Sequence, residues 1–191
     1  MKSALRKIYK ERRGEMGEEV MVELSKNITG RCVSFLNEHP AFKHIHLFLP
    51  ISSLNEINTF FLLDRLFQMD KQVYSSMTDF QKMEMKTVLL SPKGKIRLDE
   101  FGIPVPESPV FVENPQIDLV FVPLLAVDVK GNRLGYGKGL YDRFLSKLDP
   151  EVFKIGLSFF PPEKYLPTSS HDISLNACIF PDKILNSELL T

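Results

Sequence analysis

The stretch that most restricts the fold runs from residue 117 to residue 145. An apolar run at 117–129 leads into the string "KGNRLGYGKGLYDRFL" at 130–145, after which Leu140, Phe144, Leu145 and Leu148 recur at helical spacing. The apolar run reads as a buried strand turning into a second one, so the glycines sit where a strand hands over to a helix. Gly135, Gly137 and Gly139 alternate with larger residues, and glycine reaches positive φ without strain. The backbone can therefore fold tightly and turn its N–H groups toward a ligand, and the helix start adds further unpaired N–H groups and a positive dipole end. Arg133 and Lys138 flank the loop, which makes it a place for an anion.

Magnitudes limit what this loop does alone. A helix-dipole contact contributes about 0.3 to 1 kcal/mol, while nucleotide binding at tens of micromolar needs roughly 6 to 7 kcal/mol. Charged side chains and a metal ion are needed to make up the difference. The string is neither a Walker A loop nor a Rossmann fingerprint, since it lacks G-x-x-x-x-G-K-[ST] and the third glycine of G-x-G-x-x-G. On pattern alone, a tight turn with no ligand remains the alternative.

The rest of the chain reads as α/β. Residues 2–13 form a basic helix with Ala4, Leu5, Ile8 and Tyr9 on an apolar stripe and Lys2, Arg6 and Lys10 along another face. A solvated face is one reading of those cations. A transit peptide is argued against by Glu11, Glu15, Glu18 and Glu19. A second helix spans about 18–37, with Val20, Leu24, Ile28, Cys32 and Phe35 inward. Strand-like runs follow at 44–50, "QVYSSM", "MEMKTVLL", "KIRLDEF", "VFVE", 153–160 and "NACIFPD", while the prolines of "FGIPVPES" shape a loop. Ser53 and Glu56 form S-x-x-E ahead of Ile57, Phe60, Phe61 and Leu66, the pattern of a capping box opening a third helix. His44 and His46 share a strand face but lack a third metal ligand. Cys32 and Cys178 have no C-x-x-C spacing and read as small core residues of a chain from a reducing compartment. These elements predict a single domain over 1–191 with a largely parallel central sheet flanked by helices.

With 24 Lys and Arg against 24 Asp and Glu there is no basic field to recruit nucleic acid, so a small molecule is the expected partner. The apolar stretch at 119–127 is far short of the roughly 20 residues a membrane helix needs, so no membrane partner is expected.

The string "GNRLGYGKGLYDRFL" resembles the signature of the 5-formyltetrahydrofolate cyclo-ligases, also called 5,10-methenyltetrahydrofolate synthetases, in which N-R-L-G-x-G-x-G-x-Y-D closes over the ATP phosphates. The resemblance implies ATP binding by Arg133, Leu134, Gly135, Tyr136, Gly137, Lys138, Gly139, Leu140 and Tyr141. Leu140 stands where an aromatic is common, and its side chain is expected to point into the core. Lys2 and Arg6 match the family's K-x-x-x-R on a first helix that reaches the phosphates. "NEINT" resembles an E-x-x-T element whose acid, here Glu56, binds the pterin part of the folate, with an apolar contact near Ile51. A cap and a pterin ligand are thus two readings of Glu56.

"FGIPVPES" resembles G-I-P-E-P, with Val105 in place of the glutamate and Glu107 two residues on. Asp142 and Asp172, the latter in a segment resembling L-P-x-x-x-H-D, are the implied Mg²⁺ ligands. Taken alone, Asp142 would also suit a helix first turn, and Asp172 would suit a self-capped turn. The implied reaction is ATP-dependent cyclisation of 5-formyltetrahydrofolate to 5,10-methenyltetrahydrofolate, releasing ADP and phosphate, with Arg133, Lys138 and Tyr141 at the reacting centre, in a cytoplasmic monomer. A nucleotide-binding regulatory module, or a sugar-phosphate or acyl-CoA enzyme on a similar scaffold, are the alternatives.

Overall fold

The computed structural model describes residues 1–186. In chain order the elements are α1 (Lys2–Gly14), α2 (Glu18–Glu38), β1 (His44–His46), a 3₁₀ turn (Ser52–Leu54), α3 (Phe60–Gln68), β2 (Gln72–Asp79), β3 (Glu84–Leu89), β4 (Ile96–Leu98), β5 (Pro104–Pro106), β6 (Val110–Phe111), β7 (Leu119–Pro123), β8 (Ala126–Val127), β9 (Arg133–Leu134), α4 (Leu140–Leu145), β10 (Phe153–Leu157), β11 (Ala177–Ile179) and β12 (Ile184–Asn186). The main sheet has the order β12-β11-β10-β7-β1-β2-β3-β6. Its five central strands, β11 to β2, are mutually parallel, and antiparallel pairings close both ends. This is the expected α/β architecture with a largely parallel centre.

Period-two alternation explains why the central strands are apolar throughout. In β7, Leu119 and Phe121 face a core shared with α2 and α3, while Val120 and Val122 face a second core that includes Phe144 and Leu145 of α4. In β11, Ala177 and Ile179 join the first core and Cys178 the second. Both cysteines are free and buried, as read from the sequence.

Helices α3 and α4 therefore lie on opposite faces. The strand order runs outward in two directions from the neighbours β1 and β7, and that reversal opens a crevice beyond their carboxyl ends, where ligands of open α/β sheets bind.

Several details differ from expectation. Ile8 is 47% exposed, Ala4 is exposed as well, and of the proposed stripe Tyr9 alone is deeply buried. The buried face of α1 instead runs through Lys2, Leu5, Arg6, Tyr9 and Arg13, because cations on this helix have partners across the molecule. Val20 is exposed and the inward row of α2 begins later. Pro104 and Pro106 form β5, paired antiparallel with β4 in a separate two-stranded sheet. Proline is tolerated there because both strands of such a ribbon are edges.

The capping box does not form. The third helix starts at Phe60 with Thr59 as its N-cap. The Thr59 hydroxyl donates to the Phe48 carbonyl, and Asn58 Oδ1 accepts from the Phe60 N–H. These bonds fix the helix start four residues beyond Glu56 and leave that acid in the preceding loop.

Candidate functional site

A cavity of about 820 Å³ occupies the crevice. Its walls are Phe48, Leu49 and Ile51 following β1, Ser75 and Ser76 of β2, and the glycine loop after β9. Two more segments close it: α1, through Lys2, Arg6 and Lys10, and the loop carrying Ser169, His171 and Asp172. Each residue named above for ATP, folate or Mg²⁺ lines this cavity, so chain segments at opposite ends of the sequence converge there.

The glycine loop owes its placement to a hairpin. Strands β8 and β9 pair antiparallel, and the intervening Asp128 is fully buried. Its Oδ1 accepts from the Lys130 and Asn132 N–H groups, and its Oδ2 from the Asn132 side chain and the Leu166 N–H. Gly137 and Gly139 adopt φ of +102° and +63°, which a side chain would strain. Gly135 does not need positive φ; its carbonyl accepts from Arg6 Nε at 2.9 Å.

The Arg6 guanidinium lies against Gly137, where an added Cβ would sit 3.1 Å from Cζ. Lys138 is exposed, with its ammonium 4.3 Å from the centre of the Phe80 ring. Phe80 packs edge-on against Phe101, with centroids 4.8 Å apart. Leu140 is half-buried and lines the cavity, outside the main core clusters, contrary to the expectation that it points inward. The helix it opens is only six residues long, and Phe144 and Leu145 supply its core contact.

Arg133 is paired with Asp142 and lies within electrostatic reach of Asp172. Its Nη2 donates to Asp142 Oδ1 at 2.6 Å, and its Nη1 donates to the carbonyl of Ile173. The Ile173 N–H in turn donates to Asp142 Oδ1 at 3.2 Å. Lys2 Nζ contacts Asp172 Oδ2 at 2.5 Å and Ser169 Oγ at 3.0 Å. Burial pulls the Arg133 pKa down, while the charges of Asp142 and Asp172 oppose that pull. Burial raises the Asp172 pKa, but Lys2 and the Ser169 N–H outweigh it, so the group is held below the usual carboxylate range.

Mg²⁺ is commonly held by one or two carboxylates, with phosphate oxygens and water completing the octahedron. The protein hydrogen bonds to Asp142 use only Oδ1 and those to Asp172 only Oδ2, so among the described residues each acid keeps one oxygen for such an ion. Among those residues no group of three or more His, Cys, Asp or Glu gathers into a protein cage. The donor set therefore fits an ion that takes its remaining ligands from a bound phosphate.

The same cavity holds Glu56, beside Tyr136 of the glycine loop. Its Oε2 accepts the Ile51 N–H at 2.8 Å, a bond across the loop after β1. Burial pushes its pKa up, and the Ile51 N–H, the Tyr136 hydroxyl and the Arg13 charge pull it back. Tyr136 belongs to the glycine loop, but its hydroxyl is occupied by Arg13 and Glu56. Tyr141 is deeply set, its pKa raised by burial and then by Glu56. Val105 is 2% exposed within β5 and Glu107 lies outside the cavity lining, so neither places an acid there.

His46 is fully buried, with Nε2 at 2.7 Å from Ser76 Oγ. Burial drives its pKa down to about 3, so it is neutral. Its Nδ1 is buried without a partner among the described residues, so it is a core histidine with one nitrogen bonded and the other not. Sequence reasoning missed Arg13 and Asp128. Arg13 was findable, since it falls on the same helical face as Lys2 and Arg6, seven residues beyond Arg6. Nothing in the local pattern marked Asp128 as the organiser of the hairpin.

Comparison with known proteins gives the family and the fold. The sequence profile described as the 5-formyltetrahydrofolate cyclo-ligase family matches residues 1–181. The 5-formyltetrahydrofolate cyclo-ligase of Mycoplasma genitalium is 30% identical over 159 residues, covering 83% of this chain and 84% of the relative. That of Haemophilus influenzae is 30% identical over 158 residues, covering 80% and 83%. The solved structure of Aquifex aeolicus 5,10-methenyltetrahydrofolate synthetase superposes with a TM-score of 0.81 at 27% identity, over 97% of this chain and 92% of the other. The Mycoplasma pneumoniae synthetase superposes at 0.74 and 26% identity, over 94% and 98%. A glycine loop, a cation-rich first helix and two aspartates at the carboxyl edge of a parallel sheet, in a chain that matches these proteins along almost its whole length, make it a member of the 5-formyltetrahydrofolate cyclo-ligase family, enzymes of the ligase class that use ATP.

Proposed function

We propose that this chain closes 5-formyltetrahydrofolate to 5,10-methenyltetrahydrofolate with conversion of ATP to ADP and phosphate. The observation that carries the reading is one cavity with two chemically different ends. One end has Lys2, Arg6, Arg133 and Lys138 around the glycine loop and suits a triphosphate. The other has the Glu56 carboxylate among Phe48, Leu49 and Ile51 and suits a flat heterocycle with adjacent N–H donors.

The formyl oxygen of the substrate is a poor leaving group. In the proposed reaction it attacks the γ-phosphorus, the bond from that phosphorus to the ADP oxygen breaks, and an iminium phosphate results. N10 of the folate then attacks the formyl carbon, its proton is released, and phosphate departs with the original oxygen. The attacking oxygen carries no proton, so the first transfer needs no general base. Positioning and charge neutralisation carry the catalysis, and well-aligned reactants gain about 7 to 11 kcal/mol from orientation alone.

Arg133 and Lys138 neutralise the transferring phosphoryl group, Lys2 and Arg6 hold the remaining phosphates, and Leu134 to Leu140 supply backbone around them. Tyr141 packs beside the reacting carbon. Asp142 and Asp172 would hold a Mg²⁺ ion, which when bound screens the triphosphate charge. Glu56 orients the pterin, with Ile51 against its edge.

The test combines folded protein, Mg²⁺-ATP and 5-formyltetrahydrofolate and follows the methenyl chromophore together with ADP. Equal yields of the two are expected. Nucleotide binding without folate-dependent ADP release would favour a regulatory module instead, and turnover of another anion without ATP would favour an unrelated chemistry on this scaffold.

A further inference from the structure

We propose that Arg13 and Tyr136 are positioning residues for the folate end of the cavity, a chain of donors that aims the Glu56 carboxylate at a bound pterin and opposes the burial that favours its protonated form. This rests on the reading that Glu56 meets the pterin, and it adds a device that sets the charge and direction of that acid.

Arg13 is 2% exposed at the end of α1. Its Nη1 donates to the Tyr136 hydroxyl at 2.7 Å and its Nη2 to the Leu124 carbonyl at 2.5 Å. The Nε is buried without a partner among the described residues, and the Phe159 ring lies 5.8 Å from the guanidinium carbon. A buried cation with one donor unfilled is costly to keep, and removing a partner from such a group is costlier still. Its retention calls for a counter-charge, and the one it faces is Glu56.

The polarity of the connection follows from the donor inventory. A guanidinium cannot accept, so when Arg13 donates to the Tyr136 oxygen, the single phenolic proton must go elsewhere. The acceptor it faces is the Glu56 carboxylate. The chain of donors therefore runs Arg13 to Tyr136 to Glu56, and the Ile51 N–H donates to the same carboxylate from the other side. The strand of sequence beside the acid is tied to the same arginine, since the Asn55 side chain donates to the Arg13 carbonyl at 3.3 Å.

Each element packed on Glu56 thus contributes a definite group. α1 brings the Arg13 charge, the glycine loop the Tyr136 hydroxyl, α4 the Tyr141 ring, and the β1 loop the Ile51 N–H. Burial raises the pKa of this acid, and these donors act against it. A protonated glutamic acid turns one acceptor into a donor and loses one of the two N–H groups a pterin offers.

The test uses the full-length protein with ¹³C-carboxyl glutamate. Glu56→Gln identifies the resonance, and Tyr136→Phe and Arg13→Met perturb it. In Tyr136→Phe the Glu56 titration midpoint should rise by about one pH unit, a tenfold change in the ionisation equilibrium. The acid limb of kcat/KM for 5-formyltetrahydrofolate should rise with it, and so should that of folate binding measured without ATP. Arg13→Met should move the midpoint the same way; if it fails to fold, the tyrosine variant decides alone.

An unmoved midpoint in Tyr136→Phe overturns the proposal, as does a moved midpoint with an unshifted folate profile. Absence of turnover in wild type would sink the proposed reaction. In that case the midpoint and the pH dependence of folate binding without ATP still decide this inference.

Discussion

Asp142→Asn separates the two roles that this acid can play, because the substitution keeps the oxygen and removes the charge. In the folded protein Asp142 Oδ1 takes two bonds, from Arg133 Nη2 at 2.6 Å and from the Ile173 N–H at 3.2 Å. Both are retained with an amide oxygen, but each loses its charge assistance, which is about 1 kcal/mol per bond or somewhat less for the longer one. The Arg133 side chain is only 4% exposed, so it feels the loss, although Asp172 remains as a second counter-charge. The expected cost is about 1 to 2 kcal/mol, or a fall in melting temperature of roughly 2 to 8 °C for a chain of this size.

Use of Mg²⁺-ATP should suffer more. With one of two carboxylates gone, kcat/KM for ATP should fall by about a hundredfold or more, near 2.7 kcal/mol, and half-saturation should need more Mg²⁺. Calorimetry and initial rates over a Mg²⁺ series measure both quantities on one preparation. A melting temperature lowered by the expected few degrees together with ATP kinetics within threefold of wild type would refute the reasoning. Asp142 would then serve only to orient Arg133.

Three other predictions follow from the geometry. Gly137→Ala places a Cβ at positive φ and 3.1 Å from the Arg6 guanidinium, so the KM for ATP should rise at least tenfold while folate binding measured without ATP is unchanged; an unaltered KM would show that Arg6 does not hold nucleotide. Gly156→Ala builds a methyl 2.6 Å from both Leu124 Cδ2 and Leu175 Cδ1, an overpacking expected to cost about 1 to 3 kcal/mol by urea titration, and a neutral result would mean the two leucines move freely.

The last concerns acid. The folded His46 pKa of about 3 lies below the usual 6.5, so the unfolded chain takes up the proton first as pH falls. The stability this contributes is complete above pH 6.5 and is lost between 6.5 and 3, amounting to about 2 kcal/mol by pH 5. Urea titrations at pH 7 and 5 should show that drop in wild type and a smaller one in His46→Gln; equal slopes would refute it.

The parts of the site that were legible are those whose chemistry is written in contiguous residues. Three alternating glycines between a strand and a helix, Asp142 at the helix start and the Lys2-Arg6 spacing each announce a local geometry, and the parallel sheet follows from doubly buried apolar runs such as "LVFVP". What could not be read depends on contacts distant in sequence. Whether Ser53 and Glu56 cap a helix was decided by Thr59 reaching the Phe48 carbonyl and by Glu56 turning to Ile51. Leu140, the first helical residue beside Gly139, lines the cavity while Tyr141, Phe144 and Leu145 supply the core contacts of this six-residue helix. Arg13 looked like one more surface cation of a basic helix until its partners, Leu124 and Tyr136, arrived from 111 and 123 residues away.

The pairing of Lys2 with Asp172 spans 170 residues of sequence. A polypeptide emerging from the ribosome can lay down β1, β2 and β7 and bury much of its first core long before the loop that receives Lys2 exists. So non-local a contact forms only after residue 172 has been made. Nucleotide-binding competence should therefore appear last during synthesis, and a nascent chain stopped before residue 169 would be folded in part yet chemically silent.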